Sequence, residues 1–289
     1  MSWVPFCDGG GEAIFPLLFP LTKGDSVAEI QTLTQDQFMK KSARVIRLAG
    51  YKVTCQNCSL AGLCIPKGLP AVELGELDDI IKRRAPLRRH EHLFDAGDRC
   101  HFLYAVRAGA VKSWATNANG DERIIGFHLP GELVGVDALD NGCHSCTAAA
   151  LESTSLCRVP IAALNSLTGA YPNINAQVQR LLGEVLTQAN ELLVLLGKKS
   201  ATERMASFLL NLSGRLKRRG LSHREFSLTM TRHDVGNYLG LALGTVCRLL
   251  TELQEAGVLS VRRRYIHIHD LEHLRALVGL PSTGAAARV

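Results

Sequence analysis

The chain has 289 residues, 46% of them hydrophobic and 21% charged, with a net charge of +6. That length accommodates two compact domains and a connector, and the composition is that of an ordinary globular protein. No run of about 18 apolar residues occurs, which excludes a membrane-spanning helix. The charge is uneven: residues 198–275 hold fourteen Lys/Arg against seven Asp/Glu. Such a surplus suits a polyanion, most simply nucleic acid, although a solvated helix face carries the same charge.

In the first 25 residues an apolar patch, Ala13–Leu21, is broken by Pro16 and Pro20. A signal peptide wants basic residues before its apolar core. Here the first lysine, Lys23, lies behind the patch, so no signal is read and the chain is expected in the cytoplasm. Residues 26–48 carry a helical pattern through Ile30, Leu33, Phe38, Val45 and Ile46. Met39-Lys40-Lys41 would also serve as a start, so residues 1–38 are expected to be dispensable. Residues 1–50 are read as a poorly ordered or partly helical extension.

Next comes Cys55-x2-Cys58-x5-Cys64. Three thiols this close, in a chain with no sign of secretion, favour a metal over disulfides. Soft thiolates select zinc or an iron–sulfur cluster, and both want a fourth ligand. A short amphipathic helix is expected over Val72–Lys82, with Leu74, Leu77, Ile80 and Ile81 inward. From Ala85 to about Pro160 short apolar runs alternate with glycines: His92–Phe94, Phe102–Val106, Val111–Trp114, Ile124–Leu129 and Ser155–Val159. Many short strands at this spacing predict an antiparallel barrel or sandwich. The last strand carries Cys157, the candidate fourth ligand. Cys7, Cys100, Cys143, Cys146 and Cys247 are read as bystanders.

A short helix is expected over 161–170, then a long one that Asn173 caps and that runs to about Leu196. Val178, Leu181, Val185, Leu192 and Leu195 take heptad a/d positions, with polar Gln188 at the remaining d site. A buried core helix would show a similar stripe, but its place between two domains favours a dimer seam. Another helix spans Lys199–Arg219. Thr231 then caps a short helix to Leu239, Gly240 supplies a turn, and a second helix runs from about Leu243 to Ala256, stopping at Gly257. That order is a helix-turn-helix. A hairpin follows, Val258–Val261 and Tyr265–His269, with Arg262, Arg263 and Arg264 at its tip. It reads as a wing whose arginines contact phosphates. His267 and His269 share one strand face and are read as surface residues of the wing, because no third ligand is in view.

These residues resemble the FNR (fumarate and nitrate reduction regulator) branch of the CRP/FNR family from about residue 50 to 279. The motifs that carry the likeness are the cysteine run with Ile65-Pro66, Gly126-Phe127-His128-Leu129-Pro130-Gly131-Glu132-Leu133-Val134-Gly135, Cys157 before Pro160, and Gly236-Asn237-Tyr238-Leu239-Gly240-Leu241. The resemblance implies an α+β architecture: an antiparallel, cyclic-nucleotide-binding-like β-roll, a long dimerisation helix and a C-terminal winged helix-turn-helix. The corresponding segments are 51–170, 171–197 and 198–280, with 281–289 a flexible tail. It implies a 4Fe–4S cluster on Cys55, Cys58, Cys64 and Cys157, lost on exposure to oxygen, in a non-enzymatic homodimer that binds palindromic DNA and regulates genes of low-oxygen metabolism. It also implies an RNA polymerase contact at Asn119, Gly120, Asp121 and Glu122.

Structural zinc sites more often use two short Cys pairs, whereas here the fourth Cys stands alone and far away, so iron–sulfur is the stronger expectation. A DNA-binding regulator with structural zinc is the alternative. Cyclic nucleotide is not expected: the CRP branch follows Gly-Glu-Leu with an arginine for the phosphate, where this chain has His144-Ser145-Cys146-Thr147. One departure concerns DNA. The family's reader pattern Glu-x2-Ser-Arg becomes Gly244, Cys247 and Arg248, with Thr245 beside them. The carboxylate that accepts from cytosine is missing, while Arg248 can still donate to guanine. Thr231 and Arg232 are expected on phosphates.

Overall fold

The computed structural model describes residues 54–83 and 85–281. The expected extension, its helix over 26–48 and the tail after 281 lie outside the described residues. The elements run α1 (Ala71–Ile80), β1 (Lys82–Arg83), β2 (His92–Phe94), β3 (Phe102–Ala108), β4 (Val111–Thr116), β5 (Glu122–His128), β6 (Leu133–Val134), β7 (Thr147–Ala150), β8 (Ser155–Pro160), α2 (Ile161–Ala170) and α3 (Pro172–Lys198). Then follow α4 (Ala201–Arg218), β9 (Glu225–Ser227), α5 (Arg232–Leu239), α6 (Leu243–Glu255), β10 (Leu259–Arg262), β11 (Tyr265–Ile268) and α7 (Leu271–Leu277). No helix among them is long and apolar enough to cross a membrane.

Two antiparallel sheets, ordered β1-β8-β3-β6 and β2-β7-β4-β5, form the roll. Strand β3 sends Leu103 and Ala105 to one face and Val106, with Tyr104, to the other, so each face packs into a different apolar cluster. The turn from β3 to β4 needs Gly109: its φ is +84°, and a Cβ there would sit 2.5 Å from Thr154 Oγ1. Four strands escaped the pattern reading: β1, whose Lys82 was expected to end the preceding helix, and β6, β7 and β9.

Helix α3 begins two residues earlier than a cap at Asn173 would place it. Pro172 occupies its first turn and Tyr171 is the N-cap, so Asn173 does not cap it. Asn173 instead donates to Glu73 Oε1 at 2.6 Å, tying α3 to α1. Helices α4 and α5 each start with a capping box, Ser200/Glu203 and Thr231/Asp234. Strands β10 and β11 pair antiparallel with β9 beside them, and Arg263 sits at the hairpin tip with φ +57°.

Three apolar clusters hold these parts. The roll interior has its own, around Phe94, Val106, Val111 and Leu156. A second joins Cys55, Ile65 and Leu77 to the first half of α3 through Ile174 and Leu181. The third is continuous between the roll (Trp114, Ile124, Phe127, Leu129) and the C-terminal helices (Met205, Phe208, Leu239, Leu249). The helix-turn-helix therefore shares a core with β4 and β5.

Candidate metal centre and nucleic-acid interface

Residues 54–67 form successive turns, with Asn57 N–H bonded to Thr54 C=O, Ala61 N–H to Cys58 C=O and Cys64 N–H to Leu60 C=O. Ile65 is 1% exposed and anchors the segment. Outside ties are few: Cys55 N–H donates to Asp78 Oδ1 at 3.0 Å, Asp78 also accepts from Arg83 at 2.8 Å, and Arg180 donates to Cys64 C=O at 3.4 Å. Cys157 stands on β8 opposite Arg83 of β1 and Ala105 of β3.

The four expected ligands come together. Cys55, Cys58, Cys64 and Cys157 line one small cavity, walled by Leu60, Ala61, Ile65, Pro66, Ile81, Val106 and Val159. Burial pushes the Cys55 thiol up to about 12, with Asp78 and the other thiols adding to the effect. Burial likewise pushes Cys64 up to about 12, and Cys157 is raised for the same reason. Thiols this crowded in apolar walls cannot all ionise alone, so the donor set suits a cationic, thiophilic group. The guanidiniums of Arg83 and Arg107 lie close enough to Cys157 to favour its thiolate. Among the described residues no three His, Cys, Asp or Glu are disposed to hold a single metal ion. The four thiols share the cavity, and an all-sulfur donor set suits zinc or an iron–sulfur cluster.

Of the other described cysteines, Cys100 and Cys143 lie near each other across the Arg99–Cys143 bridge. Cys146 is buried in the roll, Cys143 is exposed, and Cys100 Sγ donates to Phe102 C=O at 3.5 Å. In the wing, the His267 and His269 rings are 4.2 Å apart and His267 Nε2 lies 3.5 Å from Glu225. Where a phosphate-gripping arginine would stand, His144 is buried and stacks on Phe94 at 3.5 Å. Glu132 of the Gly-Glu-Leu motif is committed elsewhere, bridged by Arg215 and Arg219 of the C-terminal helices.

On the reader, Thr231 Oγ1 accepts from Asp234 N–H at 3.0 Å as the cap of α5. Arg232 turns toward α6 and donates to Cys247 Sγ at 3.5 Å. Gly244 faces open space, with nothing within 4 Å of a built Cβ. Thr245 is half-buried, and Arg248 is exposed, 3.7 Å from Glu252. Leu243, which the sequence reading passed over, is 48% exposed at the start of the same helix. Arg262, Arg263 and Arg264 are all exposed.

Within one protomer the residues of the expected dimer seam, Val178 to Leu195, fall into two groups. Val178 and Leu181 pack into the cluster that holds Cys55, and Leu195 packs against the shared core. Val185, Gln188 and Leu192 line a crevice that faces the protomer's own roll, beside Phe94 and Val134. The apolar residues that α3 leaves outside are Leu186 (62% exposed), Leu193 (69%) and Val194 (56%). Leu182, Leu186, Ala189 and Leu193 carry a second heptad set, and periodicity alone cannot say which of two stripes faces inward. The loop Asn119–Glu122 is exposed at the β4–β5 turn, where Asn117 Oδ1 accepts from the Asn119 and Asp121 amides.

Residues 203–277 match the Crp-like helix-turn-helix domain and residues 84–171 the cyclic nucleotide-binding domain. The chain is 46% identical over 242 residues to the fumarate and nitrate reduction regulatory protein of Yersinia pestis, covering 84% of this chain and 97% of that one. The chain belongs to the fumarate and nitrate reduction regulator family. The corresponding Escherichia coli K12 protein is 45% identical, covering 83% of this chain and 96% of its own. Among solved structures, FixK2 from Bradyrhizobium japonicum superposes with a TM-score of 0.64 at 30% identity, covering 70% of this chain and all of that one. As a member of this regulator family the chain is a DNA-binding transcription regulator and not an enzyme.

Proposed function

We propose that the chain is a cluster-gated regulator, active as a homodimer when a 4Fe–4S cluster on Cys55, Cys58, Cys64 and Cys157 is intact and inactivated by oxygen. The carrying observation is that two distant segments bring four thiols to one apolar cavity, with Arg83 and Arg107 near Cys157. A bound cluster supplies oxygen-sensitive covalent ties between those segments. The chain's own residues carry the consequence to α3: Arg180 holds the Cys64 carbonyl, and Ile65 and Leu77 pack with Ile174 and Leu181. A segment released at the thiols loses its hold on the N-terminal half of α3.

The segments divide as 51–170 for the cysteine run and roll, 171–197 for the pairing helix and 198–280 for the reader. Pairing uses the heptad stripe Val178, Leu181, Val185, Gln188, Leu192 and Leu195 of α3, whose middle residues Val185, Gln188 and Leu192 are half-buried and line an open crevice. The dimer sets two reader helices about 34 Å apart on a palindromic site. Arg248 donates to guanine, and Thr231, Arg232 and the wing arginines take phosphates. Asn119, Gly120, Asp121 and Glu122 contact RNA polymerase in the cytoplasm, where genes for low-oxygen metabolism are controlled.

The test is DNA binding by fluorescence anisotropy under nitrogen and after air, with sedimentation alongside. Tight binding by a dimer that weakens in air, together with a shift toward monomer, is expected. Equal affinity in both conditions contradicts the proposal.

A further inference from the structure

The motif Gly236-Asn237-Tyr238-Leu239-Gly240 lies in the first helix of the reader, yet little of it faces the α6 reading surface. Asp234 and Asn237 are three residues apart and share one face of α5, and that face meets the roll. Lys112 Nζ of β4 donates to Asp234 Oδ1 at 2.7 Å. Tyr238 packs on Phe127 and Phe208, with ring centroids 5.1 and 6.1 Å away. A Cβ on Gly240, in the turn between α5 and α6, would sit 3.0 Å from Arg123 Nη2 of β5.

Asn237 makes the most specific contact. Its Oδ1 accepts from Ile124 N–H at 2.7 Å, and its Nδ2 donates to the Glu122 C=O at 2.8 Å. Strand β5 is the edge of its sheet. On an edge strand the C=O of one residue and the N–H two residues on point the same way, unpaired. A carboxamide offers one acceptor and one donor side by side, so it closes that pair as a neighbouring strand would. Aspartate is the same size but has no donor for the Glu122 carbonyl.

The two bonded backbone groups begin where the loop Asn119–Glu122 ends. We infer that Asn237 is a positioning residue that locks the β4–β5 hairpin to α5, so the loop at its tip keeps a fixed place relative to bound DNA. The side chain lies on the face of α5 away from Arg232, which turns to α6, so the lock acts on what the loop touches and leaves base reading alone. The value of that placement for transcription rests on the polymerase contact proposed above.

The experiment uses the full chain under nitrogen and a palindromic duplex that the chain itself recovers from a random pool. Asn237→Ala and the isosteric Asn237→Asp are compared with the parent by three readouts: DNA affinity, transcription by purified RNA polymerase, and amide hydrogen exchange of the DNA-bound protein. Both variants are expected to bind DNA within about threefold of the parent, to exchange the Ile124 amide about tenfold faster, and to lose transcription by about tenfold. Unchanged exchange at Ile124 overturns the lock. Parallel loss of DNA affinity and transcription also overturns it, since Asn237 would then be serving the reader's own fold. Faster exchange with full transcription upholds the lock and removes the polymerase role of the loop.

Discussion

Between Thr54 and Pro66 the chain makes one turn after another, and its ties to the rest of the fold are two backbone hydrogen bonds, one at Cys55 and one at Cys64, and a patch of apolar contacts. Between Thr231 and Glu255 the chain starts with a capping box, turns at Gly240 in the left-handed region, and buries Val235, Leu239, Val246, Leu249 and Leu250 in a large core. The reader is held by protein alone, in a core it shares with β4 and β5. The cysteine segment brings three thiols to meet Cys157, and burial raises those of Cys55, Cys64 and Cys157, so the group needs a cation to settle it. Control belongs in the part that depends on something added, because only there does a change in the surroundings alter how much structure is held.

The sharpest way to break this contrast is Cys157→Ala. Removing the ligand contributed by the roll is expected to abolish visible absorbance and tight DNA binding, while far-ultraviolet circular dichroism stays close to that of the parent. A variant that still binds DNA tightly under nitrogen would mean that the cysteine segment does not control the reader.

Next in size is Glu132→Gln, which leaves Arg215 and Arg219 without a carboxylate at the seam between roll and reader. Breaking a buried ion network by removing one partner costs about 3–5 kcal/mol, read as a lower urea midpoint. The arginines hold the Glu132 carboxyl below its ordinary 4.5. Its contribution is therefore present above that value and lost as pH falls through the lower folded one. Burial holds neighbouring His128 neutral, its pKa lowered from 6.5 to about 4. The unfolded chain binds more protons between those values, so stability falls as pH drops from 6.5 toward 4, by roughly 2–3 kcal/mol. Urea midpoints at pH 7 and pH 5 measure the slope, and His128→Gln is expected to flatten it.

A pair of substitutions on α3 sharpens the comparison further. Val185→Glu, at a half-buried position of the heptad stripe, is expected to give a folded monomer, with DNA affinity down by about tenfold or more. Leu181→Glu, about one turn away but buried at 3% exposure, is expected to destabilise the protomer itself. Sedimentation and thermal melting separate the two outcomes. A dimeric Val185→Glu variant removes that stripe as the pairing surface.

The reader and wing were legible in the sequence because their signals are local: a capping threonine, glycines at two helix ends, three arginines at a hairpin tip. The four thiols were legible through their chemistry and through family likeness. Other features had no local signature. Strand β7 reads Thr-Ala-Ala-Ala, which suits a helix by propensity, yet all four residues are buried in the sheet. Glu132 meets Arg215 and Arg219, 83 and 87 residues along the chain, and no spacing rule foretells such a pair. Helix α3 carries two heptad sets, and a repeat by itself does not choose between them. Asn173 was a fair cap candidate, but Pro172 at the first helical turn displaced it.

The smallest expected effect concerns Gly244, which faces open space. Gly244→Glu is accommodated without strain and restores an acceptor for cytosine, so site selection is expected to sharpen at one position per half-site by about 1–3 kcal/mol. An unchanged base preference would show that this position does not read DNA.

The central claim is that Cys55, Cys58, Cys64 and Cys157 together hold a cluster, and it is tested most directly by iron, sulfide and zinc analysis of the chain purified under nitrogen. The visible spectrum is recorded before and after air. The account predicts about four iron and four sulfide per chain, with absorbance that bleaches in air. One zinc per chain and no visible absorbance would contradict it, leaving a DNA-binding regulator whose four thiols serve structure alone.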